Sequence, residues 1–163
     1  MNAPHWHLVL NHVPVMGLLF VVLLLGYALV SGRGELHGVC LGALVLLGLV
    51  TIAVFYTGRG ADEALMMDLS AADEKFVDAH AKAAKTAFIC MCILGGIALV
   101  VAWLGRKRPH ISRGVASVIF VLTLAELVLM GRTANLGGNI RHPEIRPAQP
   151  QAGAPAATKE EAK

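Results

Sequence analysis

The sequence predicts an all-α integral membrane protein, a four-helix bundle with both termini on the same, extracytoplasmic side. Three observations predict it. Four apolar stretches, residues 8–30, 36–57, 86–105 and 115–130, divide the 163-residue chain. The first three reach the roughly 20 residues that cross about 30 Å of hydrocarbon, and the fourth does so once residues 111–114 are counted. The composition agrees, with 56% hydrophobic and 15% charged residues and a mean hydropathy of +0.64, where a soluble domain carries about 25% charge. The loops are also unequal. Arg33, Arg106, Lys107, Arg108 and Arg113 gather on one face, the density expected of a cytoplasmic side. The other face carries Asp62, Glu63, Asp68, Asp73, Glu74 and Asp78, diluted by Arg59, Lys75, Lys82, Lys85 and Arg132. The expected location is a bacterial inner (cytoplasmic) membrane, crossed several times.

A single transmembrane domain is expected over residues 1–142, with helices at about 13–31, 36–57, 71–105 and 111–131. The first starts near Val13–Pro14, because proline is tolerated in a first turn, where its missing N–H would be unpaired anyway. No basic region precedes it and no small-x-small cleavage pattern follows, so it reads as a retained helix rather than a signal peptide. The second carries Gly38-x-x-x-Gly42, a groove for close helix approach, although glycine is common in membrane helices. The longest loop, residues 58–69, leads into Ser70-Ala-Ala-Asp73-Glu74, a capped start with acids in its first turn. The third helix therefore begins outside the apolar layer, with Lys82 and Lys85 snorkelling towards the interface. After the fourth, residues 131–143 are punctuated by glycine and expected to form a turn. Gly137-Gly138 would let the chain fold back over the bundle mouth. Residues 143–163 form a Pro/Ala-rich tail of the kind that is disordered on its own. Cys40, Cys90 and Cys92 fall in apolar helices and read as packed thiols. No Cys-x-x-Cys-His occurs, which excludes the usual covalent c-type haem attachment.

Five of the seven histidines fall at one end of the expected bundle. His5, His7 and His12 open the first helix, His80 precedes the apolar part of the third, and His142 follows the fourth. His37 and His110 lie at the other end. Imidazole binds haem iron and transition metals and carries protons near neutral pH, so a cluster confined to one face points to a site. His12 and His80 begin different helices, and a metal or haem held between them would bridge helices one and three. Ala79, Ala81, Ala83, Ala84 and Ala87 around His80 leave room for a flat macrocycle, but small residues also serve tight packing. His7 and His142 are the further candidate haem ligands. Against each stands the plainer reading of an interfacial or surface histidine. His5 reads as part of a mobile arm anchored by Trp6.

Glu126 lies about five residues inside the same end of helix four. An intramembrane carboxyl is costly, and so a candidate for second-shell support of a histidine or for taking a proton from a quinol. The plainer reading is a protonated glutamate joining helices, with Arg132 within snorkelling reach. Asn11, Tyr56, Thr57, Thr86, Asn135 and Asn139 make the same layer polar. Met66-Met67 are a weak copper signal.

His7-Leu-Val-Leu-Asn-His12-Val-Pro14, Thr57-Gly58, His80 followed by Ala84, and Gly137-Gly138 with His142 occur in that order over about 135 residues. Together they resemble an uncharacterised family of bacterial four-helix membrane proteins. The chain departs from that pattern at His7-Leu8, where the family has His-Pro. It departs again at Gly138-Asn-Ile-Arg, where the family has Gly-Gly-x-Leu-Val-Tyr. The resemblance implies the fold and the importance of these positions, not a chemistry.

No hydrolytic triad, phosphate-cradling loop or metalloprotease motif occurs. The expected function is that of a cytochrome-b-like electron-transfer subunit. A haem b near the extracytoplasmic face, held by two of His7, His12, His80 and His142, would link the quinone pool to an extracytoplasmic redox protein. The chain is too small for a complete respiratory enzyme, so other subunits of a membrane complex are expected partners. The rival reading is a cofactor-free accessory or scaffold subunit, favoured by the Pro-rich tail. A metal or small-solute permease has least support, since neither inverted repeats nor a polar line across the whole membrane is evident. The net charge of +3 is small and dispersed and implies no nucleic acid.

Overall fold

The computed structural model describes residues 3–65, 71–107 and 110–146. Among them all regular structure is helical: α1 (Ala3–Leu10), α2 (His12–Ser31), α3 (Glu35–Leu65), α4 (Ala71–Gly105), α5 (Arg113–Arg141) and a closing 3-10 turn at Pro143–Ile145. Four helical spans, with α1 and α2 running as one, are long and apolar enough to cross a membrane. Between 28% and 33% of each span's most apolar window is buried inside the bundle, so most of the apolar surface faces outward. Leu23, Val30, Leu46, Val118 and Val128 are among the side chains that do so. That distribution suits hydrocarbon and not water.

Each end has a local cause. Asn11 is a one-residue break between α1 and α2, and its N–H still bonds the carbonyl of His7 at 2.9 Å. Pro14, three residues on, has no N–H to offer the carbonyl of Leu10, which loosens the helix there. The break frees α1 to lean on α3. Gly32 closes α2 in the left-handed region at φ 74°, donating to the carbonyl of Ala28. Ser112 caps α5, its hydroxyl accepting from the N–H of Val115. On the same side Arg113 donates to the carbonyl of Leu29 at 2.6 Å and ties the start of α5 to the end of α2.

Three helices outrun the lengths expected from their apolar stretches. The first span is already helical from Ala3, so His5 lies in α1 rather than in an arm. α3 continues to Leu65, through most of the segment expected to be a loop. α5 continues to Arg141, ten residues beyond the expected end, and Gly137-Gly138 is helical rather than a turn. Hydrocarbon sets only a minimum length, and two helical glycines cost about 1 kcal/mol each, which packing readily offsets. Residues 66–70 and 147–163, which include Met66-Met67, the Ser70 cap and most of the tail, lie outside the described residues.

The helices form a ring in which α2 packs on α3 and α5, and α4 packs on α3 and α5. Leu18, Val21, Leu25, Leu44, Met91, Leu94 and Ile119 fill its centre. At the α3–α4 crossing Gly48 and Gly95 meet backbone to backbone, and a Cβ on Gly48 would stand 3.6 Å from the Cα of Gly95. Nearer the histidine end Phe55 and Phe88 stack, with ring centres 4.2 Å apart.

The two hairpins repeat each other in register. A shift of 73 positions carries Pro14, Leu18, Val21 and Leu25 onto Ala87, Met91, Leu94 and Ala98, and all eight are buried. A shift of 79 carries His37, Cys40, Leu44, Leu47 and Thr51 onto Ala116, Ile119, Thr123, Glu126 and Met130, and these ten are buried as well. Both hairpins start at the same end of the bundle, so the repeat is parallel, related by an axis along the bundle, not inverted. Little sequence identity accompanies it. The shared feature is the inward stripe.

Candidate functional site

The repeat extends to one pair of histidine contacts. The Nδ1 of His7 lies 3.0 Å from the carbonyl oxygen of Val54, and the Nδ1 of His80 lies 3.0 Å from that of Thr133. The two shifts carry His7 onto His80 and Val54 onto Thr133. A carbonyl only accepts, so both bonds require a proton on Nδ1. In a neutral imidazole that leaves Nε2 with the lone pair, available to a metal or a proton. Orientation of a ligating histidine through its other nitrogen is the usual support for such a ligand.

Glycine makes each contact possible. The helical N–H that bonds the carbonyl of Val54 belongs to Gly58, and the one that bonds Thr133 belongs to Gly137. The imidazoles lie directly on these two glycines. A Cβ at Gly58 would stand 2.9 Å from Cε1 of His7, and one at Gly137 would stand 3.2 Å from Cε1 of His80. Thr57 donates its hydroxyl to the carbonyls of Ala53 and Val54, a further donor beside Gly58 and His7 at the Val54 oxygen. His7 and His80 are both half-buried, at the α1–α3 and α4–α5 contacts.

The other candidate residues take different places. His12 is exposed, and two residues from Pro14 it lies about 160° around the helix from the buried stripe. His142 is exposed at the end of α5, its N–H bonding the carbonyl of Gly138 and its Nδ1 2.9 Å from Glu144. That imidazole and Glu144's own backbone hold the Glu144 carboxyl below its usual range, backbone first. The fold-back comes after this point. Ile145 packs on Gly138, while Arg146 donates to the carbonyls of Asn139 and Ile140 and covers the ring of Phe76 on α4, 4.3 Å from its centre. Arg146 thus caps α5 and closes it onto α4 at the histidine end.

Glu126 is buried, on the inward stripe of α5, and its Oε1 has no hydrogen-bond partner among the described residues. It lies seven residues, or roughly 10 Å, below Thr133. Its counterpart in the first hairpin is Leu47, whose side chain packs on Gly17. A carboxyl has therefore replaced a core leucine in one half only. Arg132, the considered partner, is exposed and makes no ion pair with it among the described residues.

Among the described residues no three His, Cys, Asp or Glu side chains converge as a metal centre. A haem requires less from the chain, two axial nitrogens and apolar walls. His37 also emerges, although its place at the opposite end gave no reason to single it out. It is 5% exposed and neither ring nitrogen has a partner among the described residues. Its period with Cys40, Leu44, Leu47 and Thr51 is the sequence signal that would have marked it as inward-facing.

The glycine seats can be tested directly. Gly137→Ala drives a methyl into the His80 ring and should destabilise the detergent-solubilised protein by about 1–3 kcal/mol. Gly131→Ala in the same helix meets nothing within 4 Å, and its higher helix propensity should make it neutral or slightly stabilising. Equal unfolding midpoints for the two variants would show that the imidazole does not sit on Gly137.

Compared with known proteins, the chain matches no family model, no curated protein and no solved structure.

Proposed function

We propose that this is an integral membrane electron-transfer subunit that binds haem b at the histidine end of the bundle, through His7 and His80. One observation carries the reading: two symmetry-related imidazoles, each fixed by Nδ1 to a helix carbonyl above a glycine, each keeping Nε2 for a ligand. A purely structural histidine has no need of the same seat twice. When bound, haem would supply a one-electron couple. The chain's part is to hold the two rings, to exclude water with Phe55, Phe88 and the Arg146 closure, and to keep one proton acceptor in the core. His12 and His142, the other candidate ligands, are exposed and support this less well. The rival scaffold reading draws on the tail and has no contact among the described residues behind it.

Purified protein should show a Soret band. His7→Ala and His80→Ala should each abolish or strongly shift it, while His12→Ala, His142→Ala and the opposite-end variants His37→Leu and His110→Ala should keep it. A chain purified from haem-replete cells with no Soret band and no haem by mass spectrometry would end the proposal. Retention of the wild-type spectrum in both His7→Ala and His80→Ala would move the ligands elsewhere.

Glu126 has the role of proton acceptor for quinol oxidation in this reading, since it is a buried carboxyl that no described cation satisfies. Glu126→Gln keeps size and hydrogen bonding but loses the proton site. It should leave the Soret band in place and slow its reduction by added quinol about a hundredfold. An unchanged reduction rate would make Glu126 a packing residue.

We read the histidine end as lying outside the cytoplasm, because Arg33, Arg106, Lys107 and Arg113 lie at the other end. The membrane is accordingly read as a bacterial inner membrane. A reporter active only after export, fused behind Lys163, should be active. Activity instead of a cytoplasm-only reporter at that position would invert the orientation.

A further inference from the structure

The opposite end holds a cavity of about 190 Å³ between α3, α4 and the segment that leads into α5. Its polar wall is Glu35, Arg106 and His110, and its apolar wall is Leu41, Ala102 and Ile111. Arg106 is held in place yet left with bonding capacity, and Glu35 keeps all of its own. Arg106 stacks on Trp103, 4.2 Å from the ring centre, and spends one N–H on the Trp103 carbonyl at 2.6 Å. The rest of its five donors remain available. Glu35 is exposed and has no hydrogen bond or ion pair among the described residues. His110 packs on Gly34, where a Cβ would stand 2.8 Å from its ring.

We infer that this cavity seats the phosphoethanolamine head group of a membrane lipid, with Arg106 on the phosphate and Glu35 on the ammonium. Basic pockets between helices at a membrane surface bind phospholipid head groups. A carboxylate in the same wall disfavours a head group whose only charge is negative, and fits one that carries a primary amine. The cavity also opens in the right direction. Gly38 lines it, and both Gly38 and Gly42, one turn further along α3, are exposed with nothing within 4 Å of a built Cβ. They make a shallow trough on the hydrocarbon-facing side of α3, long enough for the first carbons of an acyl chain. Trp103, exposed beside the cavity, sits where tryptophan anchors at the head-group level. The inference rests on the chain crossing a bilayer and not on the haem reading, so each can fail alone.

The test is native mass spectrometry of the full chain in detergent with phosphatidylethanolamine, phosphatidylcholine and phosphatidylglycerol of matched acyl chains. Phosphatidylethanolamine should be retained about fivefold over phosphatidylglycerol, the effect of one interfacial charge, and also over phosphatidylcholine, whose quaternary ammonium has no N–H to donate to Glu35. Glu35→Gln, an exposed and conservative change, should erase the preference over phosphatidylglycerol. Arg106→Gln should weaken retention of phosphatidylethanolamine. Equal retention of the three lipids by the wild type, or a preference that survives both substitutions, would overturn the assignment. Soluble phosphoethanolamine, which lacks an acyl chain, should not displace the bound lipid. Displacement at equal concentration would overturn the part given to the glycine trough. Circular dichroism of both variants controls for folding.

Discussion

A helix in hydrocarbon has already satisfied its own backbone, because nothing outside it will accept or donate a hydrogen bond. The architecture depends on that constraint. Four spans can then differ from generic apolar helices only where a side chain reaches a neighbour's backbone or where a side chain is left out. Both happen at the same positions here. His7 and His80 reach helix carbonyls that already have an N–H partner, and they can do so only because Gly58 and Gly137 carry no Cβ. The same logic explains the Gly48–Gly95 crossing, where absent side chains let α3 and α4 approach.

The parallel repeat of two hairpins gives these contacts their meaning. Equivalent inward stripes close the ring, so the axis between the hairpins runs through the core. Departures from equivalence are then informative. Glu126 stands where the first hairpin has Leu47, and His37 stands where the second has Ala116. Each introduces a buried polar group with an unpartnered atom, one towards each end of the bundle. Burying such a group costs roughly 1–3 kcal/mol, a loss of stability that the packing must offset. Both departures coexist with a packed centre of Leu18, Val21, Leu25, Leu44, Met91, Leu94 and Ile119. The proton-acceptor role proposed for Glu126 draws on that asymmetry as much as on its depth.

The two ends of the molecule are built for different chemistry. At the histidine end Arg146 caps α5 and covers Phe76, and Lys82 pairs with Asp78 on its own helix. At the opposite end Arg106 and Arg113 sit at helix ends, and Glu35 keeps its carboxylate unpaired among the described residues. The oriented imidazole pair and the wall of Glu35 and Arg106 lie at opposite ends of the bundle.

Apolar length and charge distribution are local properties, so the four spans, their alternating direction and the gathering of His5, His7, His12, His80 and His142 at one end are legible in the residues alone. So is the place of Glu126 in an apolar helix. Which histidines are equivalent depends on contacts between helices. His7 and His12 are five residues apart, and no local signal says that the break at Asn11 turns His7 onto α3 while His12 faces outward. Gly137-Gly138 looked like a turn because glycine favours turns in isolation. In the fold it lies inside α5, which runs to Arg141, and Gly137 is the seat of an imidazole from another helix, a contact absent from any window of the sequence. The hairpin repeat was hidden for the same reason: it lies in which residues face inward, and that is settled by neighbours rather than by residue type.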